Sequence, residues 1–143
     1  MPRLDAARMR AWRDLQATID ATRRAIDYDL RSEWAVPMAW FEVLAHLRDL
    51  GGTARPNDVA EVMGLPASSL SRRFDRLEEE GWVVRNHHVD PHDLRAVTVS
   101  LTPRGRQLWR EMNVTYRRSV QAHFANRLTD EDITTISTAM SRF

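Results

Sequence analysis

Two short helical stretches with almost no chain between them constrain this sequence more than any other feature. In "RPNDVAEVMGLPASSLSRRFDRLEEEGW", residues 55–82, the first stretch carries Val59, Ala60 and Met63 as apolar positions, with Asn57 expected as its N-cap and Gly64 as its stop. Only "GLPAS" separates it from a second helix, expected over about Ala67 to Glu80. So tight a turn does not let two short helices lie antiparallel. They must cross steeply, which is the helix-turn-helix arrangement.

The second helix carries two stripes. Leu70, Phe74 and Leu77 recur at helical spacing and can enter a core, while Ser69, Arg72, Arg73 and Arg76 recur on a different face. After Gly81 the pattern changes to "WVVRNHHV" and "RAVTVSL", β-branched or alternating stretches on either side of the polar "DPHDL", which reads as a hairpin. A helix-turn-helix followed by a hairpin is a winged helix.

The flanks are helical. Met9, Trp12, Leu15, Ile19, Ile26 and Leu30 follow three-and-four spacing from Asp5 to about Arg31. "SEWAVP" interrupts them, because Pro37 disfavours helix at the residue before it, and "MAWFEVLAHLRDL" resumes until Gly51 and Gly52. Thr102 is expected to cap a helix with Pro103 in its first turn, whose apolar stripe Leu108, Met112, Tyr116, Val120 and Phe124 runs to about Arg127. Thr129, followed by three acids, opens a last helix.

The expected fold class is therefore mainly α with a small β-hairpin wing, a winged helix-turn-helix over 38–101 within one domain, 1–143. The flanking segments, 1–35 and 103–143, hold more apolar surface than a core of that size needs, so a homodimer built from both termini is expected.

Composition narrows the function classes. The chain of 143 residues has no cysteine, so disulfides, thiolate metal sites and thiol redox sensing are excluded. No Gly-rich phosphate loop, nucleophile elbow or HExxH is present, and neither catalysis nor a cofactor is expected. The start, "MPRLDAARMR", lacks an apolar h-region and runs such as "MAWF" are too short to span a bilayer, so a cytoplasmic protein without membrane contact is expected. Net charge is only +1, yet all 21 basic residues are arginine, whose planar fork suits phosphate and guanine; coding bias alone could produce the same count.

The strings "WFEVLAHL", "VAEVMGL", "SSLSRRFDRLEEEGWVVR", "DPHDLRAVTVSLTPRGR" and "LTDEDI", in this order and spacing, resemble the MarR family of bacterial transcriptional regulators from about Arg10 onward. The resemblance implies a dimer of winged helices joined through its terminal helices, binding a pseudo-palindromic operator on double-stranded DNA and usually repressing. Small aromatic or phenolic ligands commonly relieve such repression. It also implies that Ser68, Ser69, Arg72 and Arg73 face the major groove, that Arg95 is the wing-tip arginine, and that Asp93 orients it. Where relatives often show "DPRDRR" this wing reads "DPHDLR", so His92 and Leu94 stand in place of two arginines and the grip on phosphate should be weaker.

Arginine forks on the exposed stripe, including Arg76, can pair with guanine O6 and N7, and small serines at the helix start let backbone approach phosphate. Three arginines on an isolated helix would more simply be a solvated face; the turn before and the hairpin after favour DNA. Arg95 could enter a narrow minor groove or merely pair with Asp93. From Ala54 to Arg95 there are six arginines against eight acids, so the module is not basic overall, which keeps a protein-interaction scaffold as the rival reading. Glu78, Glu79 and Glu80 are expected to face solvent or the wing. His87, His88 and His92 with Asp90 and Asp93 resemble metal ligands, but strand alternation separates His87 from His88, so no metal is expected and a pH-dependent wing is the alternative. Trp82 is expected in the core. Trp12, Trp34, Trp40 and His46 are the candidate lining of an aromatic effector pocket, against plain packing.

Overall fold

The computed structural model describes residues 3–87, 89–93 and 95–143. The chain forms two compact units, Trp34–Val114 and, separately, Met1–Glu33 with Thr115–Phe143. The helices are α1 (Ala6–Trp34), α2 (Met38–Asp49), α3 (Pro56–Met63), α4 (Ala67–Glu79), α5 (Pro103–His123) and α6 (Asp130–Met140). The strands are β1 (Thr53–Ala54), β2 (Val83–His87) and β3 (Val97–Leu101).

In the first unit, Val43, Leu44 and Leu47 of α2 meet Val59 and Ala60 of α3, Leu70, Phe74 and Leu77 of α4, and Val83, Val99 and Leu101 of the strands in one buried core. The apolar stripe of α4 is thus fully used: its three members are at most 1% exposed. The turn before α4 depends on Gly64, which ends α3 in the left-handed conformation at φ 63°, where a Cβ would be strained. Asn57 does not cap α3. Arg55 occupies the N-cap position and Pro56 the first turn, because proline's fixed φ and missing N–H suit a position whose donor has no helical partner.

The hairpin is antiparallel, with Val83 opposite Leu101 and His87 opposite Val97. A third strand, β1, pairs with the other edge of β3, placing Thr53 opposite Ser100. It is only two residues long and follows two glycines, so it carries no alternation of its own. Its tie is local: Thr53 Oγ1 and Ser100 Oγ lie 2.8 Å apart, and Leu101 N–H donates to Gly52 O at 2.8 Å. Trp82 is half-buried, not fully within the core, and stands edge-on to Trp40 with ring centroids 6.3 Å apart.

In the other unit, Asp5 caps α1 by accepting Arg8 N–H at 2.8 Å. Of the six stripe residues of α1 only Ile26 and Leu30 are buried; Trp12, Leu15 and Ile19 are 56%, 44% and 48% exposed. α5 stops at His123 and a 3-10 turn, Ala125–Arg127, follows, so the helix is a turn shorter than its apolar stripe suggests. Thr129 and Asp132 form a capping box at the start of α6.

Asp29 is a polar hub within this unit. Its Oδ2 accepts the Ser119 hydroxyl at 2.6 Å and lies 2.8 Å from His123 Nε2. The Ser119 hydrogen bond, then that of His123, holds the Asp29 carboxyl below the ordinary value of 3.8. A carboxylate lowered on folding stabilises the native state above the unfolded value, and this is lost as pH falls through the folded one. Asp29→Asn is therefore expected to lower the melting temperature near neutrality. The gap from the parent should close below about pH 4; thermal melts across that range check it, and a gap independent of pH would contradict it.

Candidate nucleic-acid interface

The outward face of α4 is where the two-stripe pattern leads. Ser68, Ser69, Arg72 and Arg73 surround one open concavity of about 420 Å³. Both serines and Arg72 are exposed, while Arg73, one turn from the buried Leu77, is half-buried at the border of the core stripe. Arg76 does not line this concavity; it pairs with Glu79 at 3.4 Å, both side chains about two-thirds exposed, a contact of little energetic weight.

Arg85 of β2 ties the hairpin to the back of α4. Its guanidinium is 2.8 Å from Asp75 Oδ1, 3.4 Å from Glu78 Oε1, and donates to the Ser71 carbonyl at 3.1 Å. Glu78 also accepts the Arg85 backbone N–H at 2.8 Å. The Arg85 side chain is 18% exposed, much less than either acid. Thus Glu78 engages the wing and Glu79 engages Arg76, which accounts for two of the three acids at the end of α4. Sequence reasoning missed Arg85, because its partners lie up to fourteen residues back on another element.

At the wing tip, Asp93 Oδ1 accepts the Arg95 backbone N–H at 3.0 Å, and Asp90 Oδ1 accepts that of His92 at 2.9 Å. Asp93 therefore shapes the turn beneath Arg95 through the backbone; among the described residues no ion pair joins their side chains. Arg95 is exposed, and with Arg55, Pro56, Asn57, Asp93, Ala96 and Val97 it borders a concavity of about 270 Å³. The wing tip and the first turn of α3 therefore share one depression with an arginine on each side, and Arg55 gave no periodic or motif signal of its own. His88 and Leu94 lie outside the described residues.

The candidate effector residues are spread along the chain. Trp34 and Trp40 flank the segment between α1 and α2, His46 is half-buried in the last turn of α2, and Trp12 lies in the other compact unit. Trp40 already packs against Trp82.

The profile of the MarR family matches residues 36–96, the stretch that holds α2, the helix-turn-helix and the hairpin up to β3. The HTH-type transcriptional regulator YfiV of Bacillus subtilis is 37% identical over 82 residues, 55% of this chain and 49% of YfiV. AbsC, a MarR family transcriptional regulator from Streptomyces coelicolor, superposes with a TM-score of 0.83 at 25% identity, over 98% of this chain and 93% of AbsC. Over its winged helix the chain is similar to the MarR family. Sco3205, a MarR family regulator of the same organism whose structure is known in complex with DNA, superposes with a TM-score of 0.86 at 25% identity, over 99% of this chain and 88% of Sco3205. The MarR fold thus covers the terminal helices as well as the winged helix, although the chain aligns with only about half the length of YfiV. Among the described residues no helix is long and apolar enough to cross a membrane.

Proposed function

We propose that this chain is a homodimeric, sequence-specific DNA-binding transcriptional regulator, with α4 of each copy in a major groove and Arg95 of each wing in an adjacent minor groove. One observation carries the reading. The stripe Leu70, Phe74 and Leu77 is buried while Ser68, Ser69, Arg72 and Arg73 surround an open concavity on the same helix, so four hydrogen-bonding side chains are presented with no structural duty that occupies all of them. Asp93 shapes the turn that carries Arg95, and Arg76 adds charge beside the reading face. Exposed apolar residues of α1 (Trp12, Leu15, Ile19) and α6 (Ile133, Ile136, Met140) support pairing through the N- and C-terminal helices. A two-fold pair would set its α4 helices roughly 34 Å apart on a pseudo-palindromic operator.

The regulator is a repressor released by a small aromatic or phenolic ligand, for which Trp34 and Trp40, with Trp12 and His46, are the candidate contacts. Such a ligand acts by favouring a dimer geometry whose reading helices no longer match the duplex repeat. The excess of acids over arginines between Ala54 and Arg95 favours a second reading, a winged helix used as a protein scaffold.

Selection of bound sequences from random duplex DNA tests the proposal, and a two-fold symmetric consensus is expected. Arg72→Ala is expected to weaken binding about tenfold or more and relax the preference at one position of each half-site. Arg95→Ala should act chiefly on sites with A·T-rich flanks. No enrichment, or unchanged binding in both variants, would favour the scaffold.

A further inference from the structure

Three arginines gather where the base of the hairpin meets the start of α5. Arg48 from the end of α2, and Arg106 and Arg110 from successive turns of α5, surround a concavity of about 190 Å³ together with Leu101 and Trp109. Like charges four apart on a helix repel, so this arrangement costs stability unless something negative offsets it. The protein itself supplies little. Asp49 approaches only Arg48, at 3.3 Å, and Arg110 donates to the neutral Gln107 at 2.7 Å, while Glu111 is engaged by the Gln107 amide. Among the described residues the Arg106 guanidinium has neither an ion pair nor a hydrogen bond.

The cluster is nevertheless held in place. The Arg48 guanidinium carbon lies over the Trp109 ring, 4.2 Å from its centroid, a cation–π contact that leaves its N–H groups able to donate. The Arg106 guanidinium occupies the space that a side chain at residue 52 would take: a Cβ built on Gly52 would lie 2.6 Å from its Nη2. A buried donor is also unanswered, since Trp109 Nε1 is buried without an acceptor among the described residues. Three guanidinium forks around one concavity and a local excess of positive charge describe a receptor for several acceptor oxygens.

We infer that Arg48, Arg106 and Arg110 form an oxyanion site that takes the phosphate group of a small phosphate or phosphate monoester. Phosphate offers three or more acceptor oxygens to converging guanidinium forks, where a carboxylate offers two. The site is at the open end of the hairpin ladder, away from the turn: Leu101 pairs with Val83, and the His87–Val97 pair nearest the wing turn is four residue steps, about 13 Å, further along. That separation from the wing tip favours a free phosphate over the backbone of a duplex held by the wing.

Calorimetric titration of the full-length chain with inorganic phosphate and with glycerol phosphate, at constant ionic strength set by chloride, tests the inference. Saturable binding of one phosphate per chain is expected, weakened about tenfold or more in Arg106→Gln, as befits loss of a charge-assisted fork. Arg110→Gln, a change at an exposed position, carries the same expectation should Arg106→Gln melt early. A non-saturating response, or equal affinity in the parent and both variants, would overturn the site. Loss of phosphate binding on saturation with a short duplex, together with weaker duplex binding by Arg106→Gln, would assign the cluster to the DNA backbone and overturn the small ligand.

Discussion

Replacing Gly105 by alanine is expected to destabilise the chain by about 3 kcal/mol and to lower its melting temperature by roughly 10 °C. Gly105 is buried in the first turn of α5, and a Cβ there would lie 2.0 Å from the backbone oxygen of Trp82 and 2.9 Å from its carbonyl carbon. The obstacle is main chain, so no rotamer change relieves it. The surrounding strands cannot easily retreat either. Thr102 N–H donates to the Trp82 carbonyl at 3.1 Å, and the Thr102 hydroxyl donates to Gly81 O at 2.7 Å while accepting the Gly105 N–H at 3.0 Å. The base of the hairpin and the start of α5 are knitted together by these bonds, and admitting a methyl group means breaking some of them. Thermal unfolding followed by circular dichroism reads the effect, and a melting temperature within about 2 °C of the parent would show that this junction yields readily.

The second large effect is expected at Arg85, whose removal should uncouple the wing from the reading helix without touching DNA. Arg85→Ala takes away the cation shared by Asp75 and Glu78 and the donor to the Ser71 carbonyl. Two acids on one face of α4 would then have only solvent to offset them. Because those acids are 58% and 40% exposed, screening reduces the penalty well below that of a buried pair, and about 2 kcal/mol is expected. The discriminating observable is local: amide hydrogens of β2 and β3 should exchange faster, while those in the centre of α2 change little. Arg85→Lys should recover only part of the loss, since one ammonium cannot serve three acceptors in the same geometry as a planar fork. Unchanged exchange in the hairpin would mean that pairing with β3 alone holds β2 in place.

Much of the fold was legible because it is local. The spacing of Leu70, Phe74 and Leu77 sends one stripe of α4 into the core, Gly64 forces the turn before it, and Thr129 followed by acids opens α6 in a capping box. What escaped is set by distant partners. β1 exists only because β3 has a free edge beside two glycines. Pro56 outcompetes Asn57 for the start of α3, a choice between two valid local rules that the adjoining chain decides. At the candidate site the exposed stripe was readable from periodicity. Arg85 and Gly105 were not, because their importance lies in a carbonyl or carboxylate supplied by another element. The same limit applies to Asp93, whose carboxylate works on the Arg95 backbone instead of its guanidinium.

The claim on which the rest depends is that the arginine face of α4, presented twice, holds duplex DNA through its phosphates as well as its bases. Measuring the affinity for a selected duplex as a function of salt tests this most directly. A straight line on logarithmic axes is expected, with affinity falling by about a thousandfold between roughly 50 and 200 mM salt if six or so phosphates are neutralised. An affinity that stays flat across that range, or no binding even at the lowest salt, would contradict it.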